Sequence, residues 1–229
     1  MPDLRRSLLL SASLLLSSFS FSADAYMLPS PSERFDLQSR IVLQGDETAR
    51  TELSAREGFE FPDLDGSRQS VAWLLRQELA ARVESGDGTA SGPVTVDDAV
   101  AAVMARLSRT RCVATGYQPS DDPDDYRDAD DQTGALAYTC ALPDPEALRP
   151  VHAALRAAQE GADRQQAAQR LLAAYVEHLS SAPDQPVHAH HAVFSRPYSA
   201  DHAVMQSMAI METILPVLFP FDGWEDDDG

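Results

Sequence analysis

The sequence predicts a mainly α-helical domain of about five helices, with a minor β part made of one small disulfide-stapled hairpin. Three observations predict it. Apolar residues recur at three-to-four spacing in five windows. Two short segments of strand-like composition, 111–117 and 135–142, flank one polar loop. The two cysteines of the chain, Cys112 and Cys140, fall one in each segment.

Residues 1–25 read as a cleavable secretory signal peptide. Arg5 and Arg6 supply a positive start, the leucines from Leu8 to Leu16 with Phe19 and Phe21 an apolar middle, and Ala23-Asp24-Ala25 a small-x-small site before Tyr26. The apolar stretch is shorter than the roughly 20 residues that span a bilayer. The mature form is therefore expected to carry no membrane span, and to work in the periplasm or outside the cell. Arg5-Arg6 followed by Ser7 also fits twin-arginine export as an alternative route, with Leu4 where that pattern has Ser or Thr.

The rest divides into an irregular segment at 26–66, a single mainly helical domain at 67–221 and an acidic tail at 222–229. In the first, Pro29, Pro31 and several serines argue against regular structure. Ile41-Val42-Leu43 suggests a short strand, and Asp46 caps a weak helix over 47–56. In the second, Val71, Leu74, Leu75, Leu79 and Val83 line a helix over 69–84. Thr95 and Asp98 form a capping-box pattern ahead of a second, with Val96, Val100, Val103, Met104 and Leu107 on its apolar face. Asp144 and Pro145 open a third that Pro150 must break or restart. Leu171, Leu172, Tyr175, Val176 and Leu179 mark a fourth, from about 163 to 179. The fifth, 200–215, is apolar nearly all round and ends at Pro216, which predicts a central place in the core.

The chain has 36 acidic residues against 18 arginines and no lysine, a formal charge of −18. That excludes nucleic acid and anionic membrane surfaces as partners, because both require cationic patches. A charged partner is expected to be basic. Without lysine there is no Schiff-base chemistry, and without asparagine no N-glycosylation. An exported chain with two cysteines predicts a Cys112–Cys140 disulfide, which also removes a thiolate nucleophile.

Four of the six histidines, His188, His190, His191 and His202, fall within fifteen residues. On a strand, His188 and His190 share one face about 7 Å apart. With His202 or Asp201 they would suit Zn or Cu. A polar loop with solvated histidines is the plainer reading. The stretch 120–131 holds seven Asp against one Arg. It fails the calcium-loop pattern, with Thr133 where Gly and Thr139 where Glu belong, and reads as a solvated loop. Asp63-Leu64-Asp65-Gly66 reads as a turn. Met205, Met208 and Met211, beside His202, are expected to pack in the core, although thioethers also suit Cu(I). No nucleophile elbow, phosphate loop or H-E-x-x-H motif occurs. The expectation is a non-enzymatic binding protein of the inhibitor, immunity or accessory kind, with no cofactor. The alternative is a metal-binding protein or metalloenzyme at the histidine cluster.

Overall fold

Ser30 and Pro31, helix breakers by composition, are helix starters by position. In a computed structural model, which describes residues 28–83, 92–120, 133–158, 162–194 and 200–226, helix α1 covers Pro31–Ser39. The Ser30 hydroxyl accepts from the Glu33 amide, and the Glu33 carboxylate accepts from the Ser30 amide. This reciprocal cap satisfies two donors, and Pro31 sits where a missing N–H costs nothing.

The predicted strand at Ile41-Val42-Leu43 is instead a π-helical turn, Arg40–Gln44, continuing α1. A short apolar run shows that a segment is buried without showing its period. Ile41 enters a small cluster with Leu37, Ala49, Leu53 and Phe61, while Val42 and Leu43 enter the main core. Gly45 closes the turn at φ 65°, a conformation that side-chain-bearing residues rarely adopt. Helix α2, Glu47–Glu57, follows behind the Asp46 cap. Its carboxylate Glu57 meets Arg34 of α1 at 2.6 Å, with both side chains about 2% exposed. The segment expected to be irregular is therefore two helices joined through a buried ion pair, which is tolerated inside because each charge has its partner.

Helix α3, Asp65–Val83, begins where Asp63 accepts from the Asp65 amide. Helix α4, Val96–Arg109, has the predicted Thr95–Asp98 capping box. A 3-10 turn at Pro145–Leu148 leads into α5, Arg149–Ala157, with Pro150 in its first turn, so the proline restarts the helix. Helix α6, Ala162–Ser181, packs against α4 and α5. Helix α7, Ala200–Leu218, carries on through Pro216. Where a frayed acidic tail was expected, α8, Phe221–Asp226, turns back and buries Trp224 beside Phe221 and His152. Among the described residues no helix is long and apolar enough to cross a membrane. The expected leader and the acidic loop at 121–131 lie outside the described residues.

The hairpin is β1, Cys112–Pro119, and β2, Thr133–Pro143, and the histidine stretch adds a third strand, β3, Asp184–Phe194. The sheet is antiparallel in the order β1-β2-β3. Leu136, Tyr138, Cys140 and Leu142 of β2 point inward and are buried, while Ala135 and Ala137 between them face out. On the inner face the Tyr138 hydroxyl meets Thr213 of α7 at 2.6 Å. Along the edge of β1, the Ala114 amide donates to Asp36 of α1, so this edge is covered by a helix.

Cys112 and Cys140 stand directly opposite each other and form the predicted disulfide. It lies at the end of the hairpin away from the connecting loop and closes a span of 28 residues. A cross-link over that span stabilises the fold by about 3 kcal/mol, mainly by restricting the unfolded chain. Chemical denaturation of the Cys112→Ala/Cys140→Ala variant should therefore give an unfolding free energy lower by about 3 kcal/mol. No change would place the stability of the hairpin elsewhere.

Candidate functional site

A π-helical turn leaves backbone carbonyls that its own bonding pattern does not reach. Arg68 of α3 supplies donors for two of them, giving Nη1 to Leu43 O at 2.7 Å and to Val42 O at 3.2 Å. Its Nη2 donates to the Ser108 hydroxyl of α4 at 3.1 Å. One guanidinium thus locks the π turn, α3 and α4 together. Their meeting point, with α7 alongside, is an apolar groove.

The groove is lined by Val42, Met104 and Leu107, with Leu64 and Val71 on the α3 side and Val204, Met208 and Met211 on the α7 side, and with the polar Ser67, Arg68 and Ser207 among them. Its volume is about 30 Å³, room for about two water-sized groups, so it admits the tip of one aliphatic side chain.

Exposed apolar residues extend both walls. On α3, Leu74 is 53% exposed, one turn beyond Val71, whereas Trp73, 60% exposed, is two positions from Val71 and faces another side of the helix. On α7, Met208 is 45% and Met205 57% exposed, three positions apart on one stripe. Of the three methionines expected in the core, only Met211 is buried. Helix α7 is covered by the inner face of the sheet and by the π turn, whereas on its other side Met205 and Met208 meet no such element among the described residues. An apolar helix is central only when every side has a neighbour. Glu212 continues the same stripe one turn on and is exposed, and exposed Asp65 opens α3 just before the groove residues.

The predicted histidine cluster is divided by the strand that carries it. His188 and His190 share the outer face of the sheet, as the spacing predicts, and the His188 Nδ1 pairs with the Thr139 hydroxyl at 2.9 Å. His191 faces inward, its ring 5.2 Å from Tyr138 and 5.9 Å from Phe35. His202 stands in the first turn of α7, and its side chain, like that of Asp201, lies outside the described residues. Among the described residues no three His, Cys, Asp or Glu side chains are grouped to hold a metal ion. Alternation separates His191 from His188 and His190, because adjacent residues on a strand occupy opposite faces.

Comparison with known protein families, curated proteins and solved structures finds no match. The function is therefore read from the residues and their geometry. The groove's lining is apolar apart from Ser67, Arg68 and Ser207, and the exposed Asp65 and Glu212 stand beside it.

Two histidines make the fold sensitive to pH. Burial pushes His191 below the ordinary imidazole range, helped by the neighbouring His190, and among the described residues its Nδ1 has no hydrogen-bond partner. Burial and the Arg106 guanidinium push His178 down as well, against the opposing pull of Asp144. The folded state thus prefers both neutral. Their contribution to stability is complete above the unfolded value near 6.5 and is lost as pH falls toward the lower folded values. Asp46, held down by the Ala49 amide, and Asp98, held down by the Thr95 hydroxyl, lose theirs only in the carboxylate range. Denaturation midpoints should fall between pH 7 and pH 5 in the native protein, and less steeply in His178→Gln/His191→Gln. Equal slopes would show that these rings are not the titrating groups.

Proposed function

We propose that the protein is exported, with cleavage near Ala25, and acts in the periplasm or outside the cell as a non-enzymatic binding protein whose groove between α3 and α7 receives an amphipathic, basic segment of a partner protein. The groove carries the reading. Met205, Met208 and Leu74 are large, exposed and stand on the two helices that line the groove, and such patches mark interaction sites. Methionine suits the task because its flexible thioether chain adapts to the shape of a docked side chain. A slot of about 30 Å³ between two helices takes one knob of an apolar helix face, as helix-in-groove recognition requires. The basic character follows from the charge of −18 and from Glu212 and Asp65 at the groove, which draw in a cationic partner and raise its association rate. A role as inhibitor, immunity-type or accessory factor fits this mode of action.

The test uses a fluorescent amphipathic helix of about 18 residues built from leucine and lysine, long enough for five turns. Anisotropy should report binding at low ionic strength that weakens at least about tenfold in roughly 0.5 M salt. Binding should weaken at least about tenfold again in Leu74→Glu/Met208→Glu, because each change sets a carboxylate in the apolar contact. A peptide of the same composition with its leucines scattered should bind more weakly. Equal binding of the scattered peptide, or of the groove variant, would reject the groove as the site.

A further inference from the structure

The sheet has one edge covered and one open. On β1, the Ala114 amide donates to Asp36 and the Cys112 carbonyl accepts from the Ser39 hydroxyl, both of α1. Strand β3 pairs with β2, and among the described residues no strand pairs with its far edge. An open strand edge is a template for another strand unless charge or proline blunts it.

The register fixes which backbone groups lie along that edge. The Ala141 amide of β2 donates to Arg111 O, on the β1 side, at 2.9 Å. Hydrogen-bonding direction alternates along a strand, so Tyr138 and Cys140 bond the other way, toward Ala189 and Val187 of β3. The amides and carbonyls of His188, His190 and Ala192 therefore point to the open edge. Pro186 belongs to the same set, at a position where a strand loses no bond within the sheet by lacking an N–H.

This edge differs from the rest of the chain in charge. Charged residues make up 24% of the sequence, yet residues 185–194 contain no Asp, Glu or Arg. Two copies of a chain of charge −18 repel each other, and they approach best where carboxylates are absent. An antiparallel edge is also its own complement, because a two-fold axis sets the donors of one copy against the acceptors of the other. Alanine and histidine bury little apolar surface, so the pairing needs a further bond.

The histidines supply it. His188 and His190 are exposed on the outer face. Pairing centred on Ala189 sets His188 of each copy opposite His190 of the other, about 5.5 Å apart between Cα atoms. Four imidazoles so placed offer the nitrogen donors of a tetrahedral zinc ion. The His188 Nδ1 pairs with the Thr139 hydroxyl at 2.9 Å, which orients the ring and leaves Nε2 for a metal. One chain brings two histidines to this face, so the site is complete only in the pair. We infer that two copies of this chain pair antiparallel along β3 and share a zinc ion held by His188 and His190 of each. This inference is independent of the α3–α7 groove.

Sedimentation velocity on the mature, disulfide-intact protein without a histidine tag tests it. With a chelator the protein should sediment as a monomer, and with zinc chloride as a dimer holding one zinc per two chains. His188→Gln/His190→Gln, checked for fold by circular dichroism, should stay monomeric in zinc. Should it misfold, His190→Gln alone, which keeps the Thr139 bond of His188, should weaken zinc-dependent dimerisation at least about tenfold. Ala192→Pro, which removes an edge amide and neither imidazole, should weaken it as well. A monomer in saturating zinc, a dimer indifferent to the chelator, or dimerisation as strong in the histidine variants or in Ala192→Pro as in the native protein would overturn the inference.

Discussion

The hydrogen bond from a buried or half-buried guanidinium to a backbone carbonyl is the interaction on which most of this structure depends. Arg68 donates to Val42 O and Leu43 O and fixes the π turn against α3. Arg106, 6% exposed, donates to the Leu179 and Ala182 carbonyls at the end of α6 and pairs with Asp184 at the start of β3. Arg50 donates to Phe61 O and holds the segment after α2. Helix ends leave carbonyls that must find donors when they are buried. Lysine is absent, so the planar, multi-donor arginine side chain performs this task throughout.

Arginines that serve carbonyls also pair with exposed carboxylates, Arg50 with Glu47 and Arg106 with Asp184, but 36 acidic residues against 18 arginines leave the chain strongly acidic. The α3–α7 groove departs from that pattern, with a lining that is apolar apart from Ser67, Arg68 and Ser207.

The fold class and the disulfide were legible in the sequence because each has a local signal. Helical periodicity marks α3, α4 and α6, Thr95 with Asp98 marks a helix start, and two cysteines in two strand-like segments mark a staple. What escaped was set by position or by tertiary contact. Pro31 begins a helix because Ser30 precedes it and Glu33 follows. The run Ile41-Val42-Leu43 is as apolar as a strand but follows α1 without a break, and Arg68, 25 and 26 residues away in sequence, supplies the donors its carbonyls need. The histidines could be grouped by proximity along the chain, whereas pairing with β2 decides which of them share a face. The groove had no signal of its own, since a methionine that packs in a core and one that lines a socket read alike until the neighbours of α7 are known.

The central claim is that the methionine side of α7 receives a basic amphipathic partner, and methionine methyl resonances report on that surface directly. In the mature chain labelled at its methionine methyl groups, titration with the leucine–lysine helix should shift and broaden Met205 and Met208 and displace Met104 and Met211 less. Saturable binding of the peptide with Met205 and Met208 unmoved would contradict the account and place the partner on another face.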